Sequence, residues 1–145
     1  MKFFFALLLS AVLVSCNNAS KDNTQPYVKE RATVKTDPVA VFEESVDDKL
    51  NPDWKFKVQL FEQKESLKFE ARFQYKEVTG EKVFSVPNLG FMPKPALKKG
   101  PQPFSCIIGF YDADSTFMEL RMVRVENENL VYSHLKEYAV EKEKE

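Results

Sequence analysis

Residues 54–76 read WKFKVQLFEQKESLKFEARFQYK, and their period is two. In the first run Trp54, Phe56, Val58 and Leu60 fall on one side, with Lys55, Lys57 and Gln59 on the other. The second run is stricter: Leu67, Phe69, Ala71, Phe73 and Tyr75 alternate with Lys68, Glu70, Arg72, Gln74 and Lys76. Successive side chains of a strand point to opposite faces, so sustained alternation describes strands with one dry and one wet face. EQKES between them is short enough only for a hairpin loop, which makes the pair antiparallel.

Working outward, VTGE at 78–81 is expected to turn the chain at Gly80 into a strand KVFSV at 82–86. VAVF at 39–42 reads as a short first strand, and EESVDDKLNPD after it as a loop or a single helical turn. FSCIIGFY at 104–111 places Phe104, Cys106, Ile108 and Phe110 on one face and Ile107 and Tyr111 on the other. Apolar residues on both faces predict a central strand covered on both sides. DADS then turns the chain. In TFMELRMVRVE the alternation of Met118, Leu120 and Met122 slips to Val123 and Val125, which predicts a bulge near Met122-Val123. NEN at 127–129 is a tight turn, and LVYSHLKEYAV a last strand whose spacing also fits a helix. The sum is an all-β chain of six or seven antiparallel strands, a small β-sandwich or open barrel with one long Pro-rich connection.

That connection is PNLGFMPKPALKKGPQP, residues 87–103, with five of the eight prolines and two of the four glycines. So much proline excludes a central strand. One reading is a crossover between two sheets, as Greek-key sandwiches need, with Phe91 and Leu97 packed down. The other is a partner-binding loop, in which Phe91, Met92, Lys94, Leu97, Lys98 and Lys99 offer apolar and cationic groups on a stiff backbone.

The N-terminus has a different character. Lys2 precedes an apolar run, Phe3 to Val14, broken only by Ser10. It is too short to span a hydrocarbon core, which takes about 20 helical residues, but it has the charge and apolar centre of a secretory signal. It ends in Leu13-Val14-Ser15-Cys16. These four residues resemble the lipobox of bacterial lipoproteins. The resemblance implies cleavage before Cys16 and acylation of that cysteine, with no other cofactor. It covers residues 1–16 and the few polar residues after them. Asn17 is not the aspartate of inner-membrane retention, and SKDN at 20–23 resembles the Lys-acidic export tags of surface lipoproteins. The expected location is the outer membrane, on its periplasmic face or at the cell surface. Several acyl chains on one residue hold a protein durably, whereas one gives only reversible binding.

The expected division is a signal peptide at 1–15, the lipidated cysteine and a flexible polar tether at 16–37, a β-domain at 38–140 and a charged tail at 141–145. Removing residues 1–15 takes away only Lys2 among the charges and moves the net charge from −1 to −2. There is no clustered basic excess of the kind that nucleic-acid binding requires. With Cys16 acylated, Cys106 has no disulfide partner and reads as a small core residue.

Candidate chemistry is sparse. His134 is the only histidine, and no serine sits in a nucleophile elbow. Asp112, Asp114 and Glu119 match only part of a calcium loop. These features favour a non-enzyme without a metal site. The expectation is a membrane-anchored accessory or interaction module, with an envelope protein or glycan as partner. The alternative is a carrier or sensor of a small apolar ligand, held in a cavity lined by Phe69, Phe73, Ile108 and Phe110. A hydrolase built on His134 comes third.

Overall fold

A computed structural model describes residues 25–138. The lipobox-like residues, the first part of the expected tether and the expected charged tail lie outside the described residues. Eight strands and no helix occur within them: β1 (Ala40–Ser45), β2 (Lys55–Glu62), β3 (Lys68–Tyr75), β4 (Val78–Ser85), β5 (Lys94–Lys99), β6 (Ser105–Tyr111), β7 (Phe117–Glu126) and β8 (Asn129–His134). They form two four-stranded antiparallel sheets, β1-β2-β3-β4 and β5-β6-β7-β8, packed face to face. Each sheet is a plain meander, so the expected Greek key is replaced by a single crossing between consecutive halves of the chain.

The alternation of residues 54–76 sets the first sheet. Phe56, Val58, Leu60, Phe69, Ala71, Phe73 and Tyr75 are buried, and the register opposes Val58 to Phe73 and Leu60 to Ala71. From the second sheet Cys106, Ile108, Phe110, Leu120 and Val123 complete one core. Phe73 stacks on Tyr132 of β8 at 6.0 Å, and Phe69 stacks on Phe84 at 5.9 Å. Phe69, Phe73, Ile108 and Phe110, the expected cavity lining, are packed against neighbours in this core.

At the sides β1 lies beside β5 and β4 beside β8. Lys99 Nζ of β5 reaches Glu44 Oε1 of β1 at 3.1 Å. The lower end carries the turns at Lys76-Glu77 and Asn127-Glu128, joined by an ion pair between Lys76 and Glu128. The upper end carries the β2–β3 loop, the 86–93 crossing and the β6–β7 turn.

Several expectations need correction. There are eight strands rather than six or seven. The extra strand, β5, lies inside the Pro-rich stretch. It is an edge strand, where the N–H that Pro95 lacks is not needed by a neighbour on both sides. The turn expected at Gly80 occurs at Lys76-Glu77, with Lys76 at φ 54°. Gly80 lies inside β4 because the Phe73 ring fills the space of its missing side chain. The bulge falls at Leu120, between the pairs Ile108–Arg121 and Gly109–Glu119, two residues before the expected place.

The expected tether also differs. From Gln25 the chain is paired to the upper end. Tyr27 N donates to Gly90 O, Gln25 O accepts from Met92 N, Arg31 N donates to Lys64 O and Lys29 O accepts from Ser66 N. Polar composition misleads at this point because the backbone, not apolar side chains, makes these contacts.

Candidate interaction surface

The six candidate residues of the Pro-rich stretch do not form one surface. Phe91 and Met92 lie in the crossing, beside the chain's own residues 25–27. Leu97 turns inward and packs against the core. Lys99 is taken up by Glu44. Only Lys94 and Lys98 stand on the outer face of the second sheet, opposite Tyr111 and Ile107 in the register.

That outer face is built from both sides of β6. The inward residues Cys106, Ile108 and Phe110 are fully buried, whereas Ile107 and Tyr111 point outward and are half-buried. No second layer of the described chain covers them, which corrects the expectation of burial on both faces. Phe117, opposite Tyr111, meets it edge-on at 5.6 Å. The Phe117 ring lies over Gly109, where a side chain would collide with it and with the Met118 carbonyl. Lys98 Nζ sits 4.3 Å from the centre of Phe117 and 5.6 Å from that of Tyr111. Cations over aromatic faces are attracted by the ring quadrupole. Met122 lies opposite Ile107 and extends the apolar strip. Arg124 borders it, bonded to Ser133 Oγ at 3.0 Å and paired with Glu126 at 2.6 Å. Sequence alternation locates Ile107 and Tyr111. Phe117 and Met122 escape it as members of this face because the bulge shifts the phase of β7.

The outer face of the first sheet is mostly polar, although Val41 and Val83 stand exposed on it, opposite Gln59 and Glu70. Lys57, Gln59, Arg72, Gln74, Thr79 and Glu81 surround a shallow depression of about 420 Å³ over Phe73 and Gly80. Glu43 pairs with Lys57 at 2.8 Å and Lys55 at 3.3 Å, and their hydrogen bonds hold its carboxyl below the ordinary range. Arg72 pairs with Glu70 and lies over the Phe61 ring at 4.3 Å. Most of these charges are thus engaged within the sheet.

A further built feature is Arg31 at the upper end, which nothing in the sequence marks out. Its side chain is 6% exposed. Nη1 donates to Gln63 O at 2.6 Å and Glu65 O at 2.8 Å, and Nη2 donates to Ser66 O at 2.6 Å. The guanidinium lies over the Phe69 ring at 4.8 Å with Glu62 Oε1 at 3.5 Å from Nε. Burial lowers its pKa and Glu62 opposes that shift. Lys64 Nζ returns a bond to Arg31 O at 2.7 Å. A planar cation with five donors suits three converging carbonyls.

The remaining candidates are separate from one another. Cys106 is a buried free thiol, pushed up to about 12 by desolvation. His134 is exposed, with Nδ1 3.9 Å from Glu137. Asp112 Oδ1 accepts from Thr116 N at 2.8 Å and so serves its own turn. Among the described residues no group of His, Cys, Asp and Glu is arranged to hold a metal ion. Compared with known proteins, the chain matches no family, no curated protein and no solved structure.

Proposed function

We propose that this chain is an envelope lipoprotein, anchored through a lipid on Cys16, whose β-domain is a non-catalytic interaction module. The single observation that carries the second half is the outer face of β5–β8. Its central strand is apolar on both sides, yet the sandwich covers only one of them. Ile107, Tyr111, Phe117 and Met122 offer a contiguous apolar and aromatic strip, with Lys94 and Lys98 along one margin. Aromatic side chains bring large contact area at low entropy cost, and cations at the rim steer an acidic partner. The partner that fits is another envelope protein. The signal-like N-terminus and the lipobox resemblance support the anchor.

A photo-crosslinking side chain placed at Ile107, in cells making the full-length protein, tests the face. The same group at Gln59, on the outer face of the first sheet, is the control. A discrete adduct from Ile107 that is absent from Gln59 supports the reading. Equal labelling from both positions overturns it. Loss of membrane association and of acyl-chain incorporation in Cys16→Ala tests the anchor separately.

A further inference from the structure

We infer that the upper end of the sandwich faces the lipid surface, and that Arg31 enforces this by shortening the tether. The inference rests on the lipid-anchor reading. Between Cys16 and Gln25 the chain takes nine steps. Fully extended, nine residues reach at most about 31 Å, and a flexible chain of that length has a root-mean-square reach of about 17 Å. The strands of the first sheet, eight residues in β2, β3 and β4, are roughly 27 Å long at 3.2–3.4 Å per residue. Gln25 is paired at the upper end, through Met92. For the lower end to meet the bilayer, the tether would have to run the full length of the sandwich in its extreme extension. The upper end meets no such obstacle.

Without the pairing of residues 25–31, the tether would continue to Val39, whose N–H is bonded to Leu60 O. Twenty-three residues reach about 78 Å extended and about 26 Å on average, so either end could then approach the membrane. The choice between the two regimes depends on Arg31, the one buried residue of the segment from Gln25 to Asp37. The crossing at Gly90–Met92, the β2–β3 loop and the β6–β7 turn would then lie nearest the lipid. The turns at Lys76-Glu77 and Asn127-Glu128 would lie farthest from it. The Ile107–Phe117 face would stand side-on, free to meet a neighbour in the plane of the membrane.

The test uses full-length lipidated protein on phosphatidylethanolamine–phosphatidylglycerol vesicles carrying a headgroup quencher. Fluorophores are placed at Asp114→Cys, in the upper β6–β7 turn, or at Leu50→Cys, an exposed loop position near the lower end. Cys106 is buried and does not compete for the label. The expected result is quenching at position 114 at least threefold stronger than at position 50. Arg31→Ala should bring the two within a factor of about two. An insertion of fifteen Gly/Ser residues between Ala19 and Ser20 should do the same while leaving Arg31 and the fold intact. Equal quenching in the parent protein, or a difference that survives the insertion, overturns the inference. Vesicle flotation separates the two readings: flotation without a quenching difference sinks the orientation alone. Failure to float, or flotation of Cys16→Ala, removes the anchor and the orientation with it.

Discussion

Arg31 shows how one polar residue can define where a domain begins. Its three carbonyl acceptors are backbone groups of residues 63, 65 and 66, so no side-chain pattern announces them. Hydrogen bonds to a charged donor contribute more than neutral ones, and removing the donor takes a partner from three carbonyls, of which the Ser66 bond is the most buried. Arg31→Ala is expected to ease local opening of residues 25–35 by about 2 kcal/mol. Tryptic cleavage at Lys29 and Lys35 should then rise roughly thirtyfold while the core strands stay resistant, because cleavage follows the population of the open form. Limited proteolysis with mass detection of the fragments checks this. Cys106 gives a second prediction at this scale. An unfolded thiol loses its proton near its ordinary value of 9.0, whereas the buried one holds it to about 12. Between those values the unfolded state binds fewer protons, so stability falls as pH rises, by about 1.4 kcal/mol per unit from this group. Below that window the thiol adds no pH dependence. Urea unfolding at pH 8 and pH 10 should therefore show a smaller loss in Cys106→Ala than in the parent.

At the scale of elements, β6 and its neighbours join packing to the proposed contact face. Gly109 lets the Phe117 ring come close against the strand, where Lys98 covers it. Gly109→Ala should drive its methyl into Phe117 and the Met118 carbonyl. Overpacking of this kind costs about 1–3 kcal/mol, read as a lower urea midpoint at unchanged slope. Crosslinking from Ile107 should weaken in parallel as Phe117 is displaced. How far each element shows in the sequence depends on how it is solvated. β2 and β3 are legible because one face is wet and nearly every second residue is charged or amide-bearing. β5 is hidden because Pro95 and the lysines Lys94, Lys98 and Lys99 are what an exposed edge tolerates, and they read as loop. β7 is half legible: Leu120 at the bulge is 2% exposed, and the slip it causes surfaces in the alternation only two residues later. Of the proposed contact face, Lys94, Lys98, Ile107 and Tyr111 stand out in the sequence. Phe117, the aromatic partner of Lys98, comes from another strand and needs the register to be found.

For the whole molecule, the two sheets exchange no strand. The ladders of the two sheets run within 40–85 and within 94–134, and outside them residues 25–27 pair with 90–92. What joins the halves is side-chain packing, of which Phe73 on Tyr132 and Phe56 near Phe104 at 6.4 Å are examples, together with edge ion pairs, the backbone bonds of residues 25–27 to 90–92 and the 86–93 crossing. Exposed ion pairs such as Lys99–Glu44 contribute little, so the apolar interior carries the union. Phe110, fully buried and edge-on to Tyr138 at 6.1 Å, is a sensitive point. Phe110→Ala is expected to cost about 3–5 kcal/mol, much of the roughly 5–15 kcal/mol typical of a domain, and to lower the thermal midpoint accordingly. The topology also makes the chain divisible. A cut between Asn88 and Leu89 would sever no sheet ladder, leaving among the described residues only the backbone bonds of residues 25–27 to 90–92 between fragments, and each fragment would keep a complete four-stranded sheet with one sticky side. Two such fragments should reassemble by mass action. Two uncut chains could trade their C-terminal halves across an opened crossing to give an intertwined dimer with the same interior.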